Sequence, residues 1–237
     1  MPLLSDKDRA FLVDHLEGAL VGAVRILFFT QSMACQFCKE TEAILGELAD
    51  LSDKISLSVY DFVADKAVAD EYAVDKIPAT VVMSDVDHGV RFFGIPSGYE
   101  FTSLVEAVID VSKGTTDLSA ETLASLAQLQ DPIHMQVYVT PTCPYCPAAV
   151  RMAHSLAIAS DMITADMVES VEFPHLANKY RVQGVPQTVI NETTFLEGAA
   201  PEPLLVAKVK EAAGLMTAQE VEELLTQLSQ GQTPQAG

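Results

Sequence analysis

The side chains best able to do chemistry are four cysteines arranged as two close pairs, Cys35-Gln36-Phe37-Cys38 and Cys143-Pro144-Tyr145-Cys146. Two cysteines three positions apart at the first turn of a helix have Cα atoms about 5 Å apart, inside the range a disulfide accepts. The first of such a pair points at unpaired backbone N–H groups and the positive end of the helix dipole, which favours thiolate over thiol. A thiolate so placed attacks a disulfide of another molecule, forms a mixed disulfide, and is released when the second cysteine attacks it. Cys35 and Cys143 are therefore the expected nucleophiles, and Cys38 and Cys146 the expected resolving thiols. Phe37 and Tyr145, inside the pairs, are candidates for substrate contact as well as for plain packing.

The pairs belong to an internal repeat. Cys143 follows Cys35 by 108 positions, and Pro186 follows Pro78 by the same 108. The prolines sit in matching strings, Ile77-Pro78-Ala79-Thr80-Val81-Val82 and Val185-Pro186-Gln187-Thr188-Val189-Ile190. A shared β-branched–Pro–x–Thr–Val pattern at one offset marks a duplicated domain. The prolines are expected beside the cysteines. An X–Pro bond entering a strand is a cis candidate, and the backbone edge it exposes can pair with an extended substrate segment. Ile77, Pro78, Val185 and Pro186 are accordingly the expected substrate-binding positions.

One plan of elements fits each half. In the first, the pattern predicts a capped helix over Ser5–Gly18 and a buried strand over Val24–Thr30. A helix opens at Cys35 and runs to about Asp50, followed by a strand over Ile55–Phe62 and a short helix over Asp65–Ala73. A hairpin of Ala79–Ser84 and Val90–Phe93 precedes a closing helix over Tyr99–Val111. The second half repeats this with a helix over Ser119–Leu129, a strand over His134–Thr140, a helix from Cys143 to about Ser160 and a strand over Val168–Phe173. A hairpin of Gln187–Asn191 and Thr193–Leu196 follows, then a helix over Pro203–Ala213. The expected fold class is α/β, with two tandem units over residues 1–114 and 115–237. Each is a mixed four-stranded sheet flanked by helices, and the boundary falls in Lys113–Asp117. Met216–Ser229 adds a terminal helix, and Gln230–Gly237 reads as a frayed tail.

Composition narrows the partners. Lys plus Arg numbers 14 against 33 for Asp plus Glu, a net charge of −19, while apolar residues make up 49% of the 237. The apolar share supports a real core and excludes global disorder. The charge balance argues against nucleic acid, which demands clustered cations, and against anionic membranes. No stretch approaches 18 apolar residues, and Asp6, Lys7, Asp8 and Arg9 stand where a signal peptide needs an apolar run, so the expected compartment is the cytoplasm. Two tight cysteine pairs in a reducing compartment suggest redox chemistry or metal binding rather than structural staples.

Each half resembles a thioredoxin-fold unit, and Cys143-Pro144-Tyr145-Cys146 matches the dithiol glutaredoxin site. The whole, including Thr140–Pro147 and Phe93–Phe101, resembles the two-domain glutaredoxin-like protein disulfide oxidoreductases. The resemblance implies a thiol–disulfide oxidoreductase that reduces, and can form or reshuffle, protein disulfides through redox-active disulfides with no other cofactor. It implies cis bonds at Pro78 and Pro186, disulfide-containing proteins as substrates, and a thioredoxin-reductase-like flavoenzyme as electron donor. Thioredoxins carry a buried aspartate six residues before the first cysteine, where this chain has Phe29 and Val137. The Glu197–Pro201 segment does not match the glutathione-holding segment of glutaredoxins.

Rival readings are an electron-relay module serving a peroxiredoxin, and a metal site binding zinc or an iron–sulfur cluster. Zinc ribbons separate their pairs by about 15–20 residues, far less than the interval between Cys38 and Cys143. Among the remaining polar residues, His154 reads as packed or surface-lying rather than as a proton shuttle. Asp61 and Glu172 read as solvated carboxylates that end equivalent strands. Pro144 suits an early helix position, and Pro147 is expected to kink the helix it sits in.

Overall fold

The computed structural model describes residues 3–230. The first half contributes α1 (Asp6–Ala19), β1 (Val24–Thr30), α2 (Cys38–Ala49), β2 (Ile55–Asp61), α3 (Lys66–Glu71), β3 (Ala79–Met83), β4 (Val90–Phe93) and α4 (Glu100–Lys113). The second contributes α5 (Ala120–Leu126), β5 (Ile133–Val139), α6 (Cys146–Ala159), β6 (Ile163–Glu169), α7 (Pro174–Lys179), β7 (Gln187–Ile190), β8 (Thr194–Glu197), α8 (Glu202–Ala212) and α9 (Ala218–Ser229). No helix among the described residues is long and apolar enough to cross a membrane. Residues 231–237 of the expected tail lie outside the described residues.

The eight strands form one sheet in the order β2-β1-β3-β4-β6-β5-β7-β8. Its left and right halves repeat the same order, as the duplication requires. They are joined because β4 pairs in parallel with β6, Val90 opposite Ala165 through Phe93 opposite Val168. Two four-stranded sheets thus become a single one, and β4 gains a partner for its otherwise open edge. β3 and β7 run against their neighbours, so β1, β2, β4, β5, β6 and β8 all point the same way. Their carboxyl ends line one edge of the sheet, and both cysteine pairs lie there.

Strand residues alternate between two cores, as the pleat dictates. Ile26, Phe28, Val137, Val139, Ala165 and Met167 face the layer that holds α2, α4 and α6. Leu27, Phe29, Val81, Tyr138 and Val168 face the layer that holds α3 and α7. Both faces of β1 are covered, which explains its unbroken run Ile26-Leu27-Phe28-Phe29.

Most elements stand where the pattern puts them, and the exceptions have physical causes. β6 spans 163–169 rather than 168–173. Asp166 breaks its apolar run, yet the Asp166 side chain is buried and accepts a 2.6 Å hydrogen bond from His134 Nε2. The short helix α7, counterpart of α3, follows where the misplaced strand left no room for it. Each cysteine-bearing helix begins at the second cysteine of its pair. Pro147 therefore falls in the first turn of α6, where a missing N–H breaks no bond, and no kink is called for. α9 starts at a capping box in which Thr217 and Glu220 satisfy each other's backbone N–H groups.

Candidate active site

Both cysteine pairs sit in the turn between a strand and a helix. Cys35 and Cys38 follow β1 and are joined by a disulfide with Cα atoms 5.5 Å apart. Cys38 is buried and Cys35 half-exposed. Cys143 and Cys146 follow β5, and both are free thiols. The peptide bonds Ile77–Pro78 and Val185–Pro186 are both cis. The Cys143 thiol donates to the Val185 carbonyl at 3.5 Å, which puts Pro186 beside the second pair. Beyond each proline the next loop is tied back identically, Gly94 N–H to Pro78 O at 2.9 Å and Gly198 N–H to Pro186 O at 2.8 Å. Tyr145 is 70% exposed beside its pair, while Phe37 is half-buried.

β3, β4 and β6 lie between β1 and β5. The four sulfurs consequently do not converge on one point. The described residues also contain no group of three or more His, Cys, Asp or Glu side chains placed to hold a metal ion.

A residue from the first half lies at the helix start that is bound to the loop ahead of the second pair. Glu100, the first residue of α4, is 1% exposed, and neither of its carboxylate oxygens has a hydrogen-bond partner. Ser103, one turn on, lies close enough to draw its pKa down slightly but makes no hydrogen bond. Burial pushes the Glu100 carboxyl up to about 7. Burial also pushes the Cys146 thiol up, together with the adjoining Cys143 thiol and the charge of Glu100, while a backbone bond at Thr140 works against the rise. The charge of Glu100 is thus felt, as the smallest of these causes, at Cys146.

Sequence reasoning missed Glu100, because no spacing rule connects position 100 to position 146. The connection is made by the β4–β6 junction and by the entry to α4. There Tyr99 N–H donates to Pro141 O at 3.0 Å, pinning the helix start to the loop ahead of Cys143. Gly98 passes so near this loop that a Cβ would come within 2.3 Å of Pro141 O, and its φ is +59°. Gly98→Ala is therefore expected to cost about 2 kcal/mol or more. Urea midpoints would check this, and a variant as stable as the parent would contradict the close approach.

Phe29 and Val137, at the positions that hold aspartate in thioredoxins, are fully buried apolar residues. His154 is buried on the edge of Phe92, with Nε2 donating to Arg91 O at 3.2 Å, and burial lowers its pKa to about 4. It packs as a neutral ring. Asp61 ends β2 and accepts from the N–H groups of Val63 and Ala64. Its true counterpart is Glu169, which ends β6 and accepts from Glu172 N–H. Glu172 lies beyond the strand and is no freely solvated carboxylate, since it is half-buried and accepts from Ile95 N–H at 2.6 Å; burial and the charge of Glu169 push its pKa up to about 7.

A sheet of two repeated βαβ-ββα units, each with a C-x-x-C turn and, 43 residues after its first cysteine, a cis proline, defines a thioredoxin-fold redox protein. Residues 133–211 match the model of a thioredoxin domain. A protein disulfide oxidoreductase from Aeropyrum pernix superposes with a TM-score of 0.83 at 30% identity, covering 91% of this chain and 96% of that one. The N-terminal domain of the alkylhydroperoxide reductase AhpF from Enterococcus faecalis superposes with a TM-score of 0.79 at 26% identity, covering 86% and 98%. Curated relatives include an NADH dehydrogenase of Bacillus subtilis, 26% identical over 72% of this chain, and the alkyl hydroperoxide reductase AhpF of Staphylococcus aureus, 27% identical over 68%. The chain spans 31% and 29% of their lengths. It belongs to the two-domain, glutaredoxin-like protein disulfide oxidoreductases, the tandem thioredoxin-fold family. As a member it is a thiol–disulfide oxidoreductase.

Proposed function

We propose that the protein reduces disulfide bonds in other proteins, with residues 1–114 and 115–237 as its two units. Cys143, as thiolate, attacks a substrate disulfide, and the departing substrate sulfur takes up a proton. The Cys146 thiol then passes its proton to the Glu100 carboxylate and attacks Cys143 Sγ, which releases the second substrate sulfur. The substrate gains two electrons, and Cys143–Cys146 is left as a disulfide. An external dithiol returns the pair to its reduced form, and a thioredoxin-reductase-like flavoenzyme fits that role. Cys35 and Cys38 form a second dithiol site of the same design. Ile77, Pro78, Val185 and Pro186 would hold an extended substrate segment, with Phe37 and Tyr145 at its rim. The redox-active disulfides serve as the only cofactor in this reading, and the compartment is the cytoplasm.

The observation that carries the reading is a free C-x-x-C pair whose first thiol donates to the carbonyl preceding a cis proline, with the unpartnered carboxyl of Glu100 acting electrostatically on its second thiol. Equilibration of the full chain in graded thiol–disulfide buffers, with alkylated cysteines quantified by mass spectrometry, tests it. Each pair is expected to convert cooperatively at its own potential. Pairs that resist oxidation and alkylation until a chelator is added would establish metal ligation and end the redox reading.

The similarity to the AhpF domain supports a second reading, an electron relay that feeds a peroxiredoxin. It predicts that a reduced bacterial peroxiredoxin accumulates faster than reduced insulin when both compete for the protein.

A further inference from the structure

The segment 94–100 runs from the first cysteine site to the second. It leaves the first at Gly94, whose N–H donates to Pro78 O, and arrives at the second with Tyr99 N–H on Pro141 O, just ahead of the buried Glu100 whose charge reaches Cys146. Between these ends its backbone has little regular support. Ser97 N–H closes a tight turn on Ile95 O, Pro96 has no N–H to give, and Gly98 takes a left-handed conformation. The side-chain tie near its start comes from the opposite half of the molecule. Ile95 N–H donates to Glu172 Oε1 at 2.6 Å, across the β4–β6 junction.

Glu172 is itself held for this task. Its own N–H donates to Glu169 Oε2 at 2.6 Å, and Glu169 is the residue that ends β6. Gly94 makes room for both carboxyls: a Cβ there would lie 2.6 Å from Glu169 Cβ and 2.8 Å from Glu172 Oε1. Two carboxyls crowded against each other in a partly buried site are costly, and the other oxygen of Glu169 is left without any partner. A site that needed only packing would be filled more cheaply by apolar side chains. What this one supplies is an acceptor near the start of the segment that delivers Glu100.

We propose that Glu172 is a positioning residue for the second dithiol site: by accepting the Ile95 N–H it fixes the 94–100 segment and so holds the Glu100 carboxyl at Cys146. The proposal rests on the reading of Glu100 as the proton acceptor for Cys146. Glu172 touches neither sulfur nor substrate, and its effect passes through the backbone alone. A side chain that keeps an oxygen in the same place should therefore serve, whereas one that cannot reach Ile95 should not.

The test is insulin-disulfide reduction by the full chain with dithiothreitol as donor, measured from pH 6 to pH 9. Cys35→Ser and Cys38→Ser silence the first pair. Glu172→Ala is expected to lower kcat at pH 7 about tenfold, to displace the limb of the pH profile that belongs to Glu100, and to leave KM for insulin unchanged. Glu172→Gln keeps an acceptor oxygen and is expected to stay within about twofold of the parent. Added to Glu100→Gln, Glu172→Ala should cost nothing further, because both act on one proton transfer. Glu172→Ser, short and polar, repeats the measurement should the alanine variant fail to fold. An unchanged profile in Glu172→Ala, or a loss fully additive with that of Glu100→Gln, overturns the positioning role and leaves the reading of Glu100 standing. If Glu100→Gln itself leaves rate and profile untouched, the reading of Glu100 falls, and the positioning role falls with it.

Discussion

Cys143→Ser should abolish most of the insulin-disulfide reduction by this protein, about tenfold or more, while Cys35→Ser keeps the larger share. The difference follows from what surrounds each pair rather than from the pairs themselves. Both follow a strand and precede a helix, and each half carries a cis proline at the same offset. The second is influenced by a buried carboxyl, Glu100, whose charge is felt at Cys146, the proposed resolving thiol. A resolving cysteine that must lose a proton inside the protein gains from a base placed to take it. Single-turnover assays on the two serine variants decide the matter, and retention of activity in Cys143→Ser with loss in Cys35→Ser would reverse the assignment.

Glu100→Gln should make the protein more stable at pH 8 and slower as an enzyme. The folded-state pKa of Glu100 is raised by burial to about 7, from an ordinary carboxyl value of 4.5. Between those values the folded chain binds a proton that the unfolded chain has released. The stability this contributes is full below about pH 4.5 and is lost as pH rises through 7. At 1.36 kcal/mol per pH unit the loss approaches roughly 3 kcal/mol at pH 8. Glutamine cannot ionise, so its variant escapes that loss. The comparison is best made as the gain at pH 8 less the gain at pH 5, in which any fixed cost of the buried amide cancels. Denaturant midpoints at the two pH values measure it, and an equal effect at both would show that Glu100 does not titrate with the fold. The slower turnover, expected to be about a hundredfold where a general base is removed, should appear in the same preparation. Stability and activity would then pull in opposite directions at one side chain.

Much of the fold is legible along the chain because both repeats obey local rules. The unbroken apolar run of β1 announces a strand covered on both faces, and the matched prolines fix the second cysteine pair against the first. What escapes is whatever depends on the junction between repeats. Asp166 looks like a strand breaker until the His134 side chain is found reaching it diagonally from β5. Glu172 looks solvated until the loop after β4 is laid across it. Glu100 is one more acidic residue in an acidic chain until the parallel pairing of β4 with β6 carries α4 to the second pair. No periodicity encodes that pairing, since it depends on two edge strands meeting in space. The aspartate missing at Val137 could be read from the chain; the carboxyl that stands beside Cys146 could not.

The strand order has a kinetic consequence. With β3, β4 and β6 between them, β1 and β5 are four strand spacings apart, roughly 19 Å at about 4.8 Å each. A disulfide bond is only about 2 Å long. Electrons at one pair therefore cannot reach the other while the sheet is intact, and levelling them requires a diffusing carrier or an encounter with another copy. That traffic is second order and fades on dilution. In a dilute solution a molecule oxidised at one pair and reduced at the other is a long-lived species, and two clients can be served at once without sharing charge.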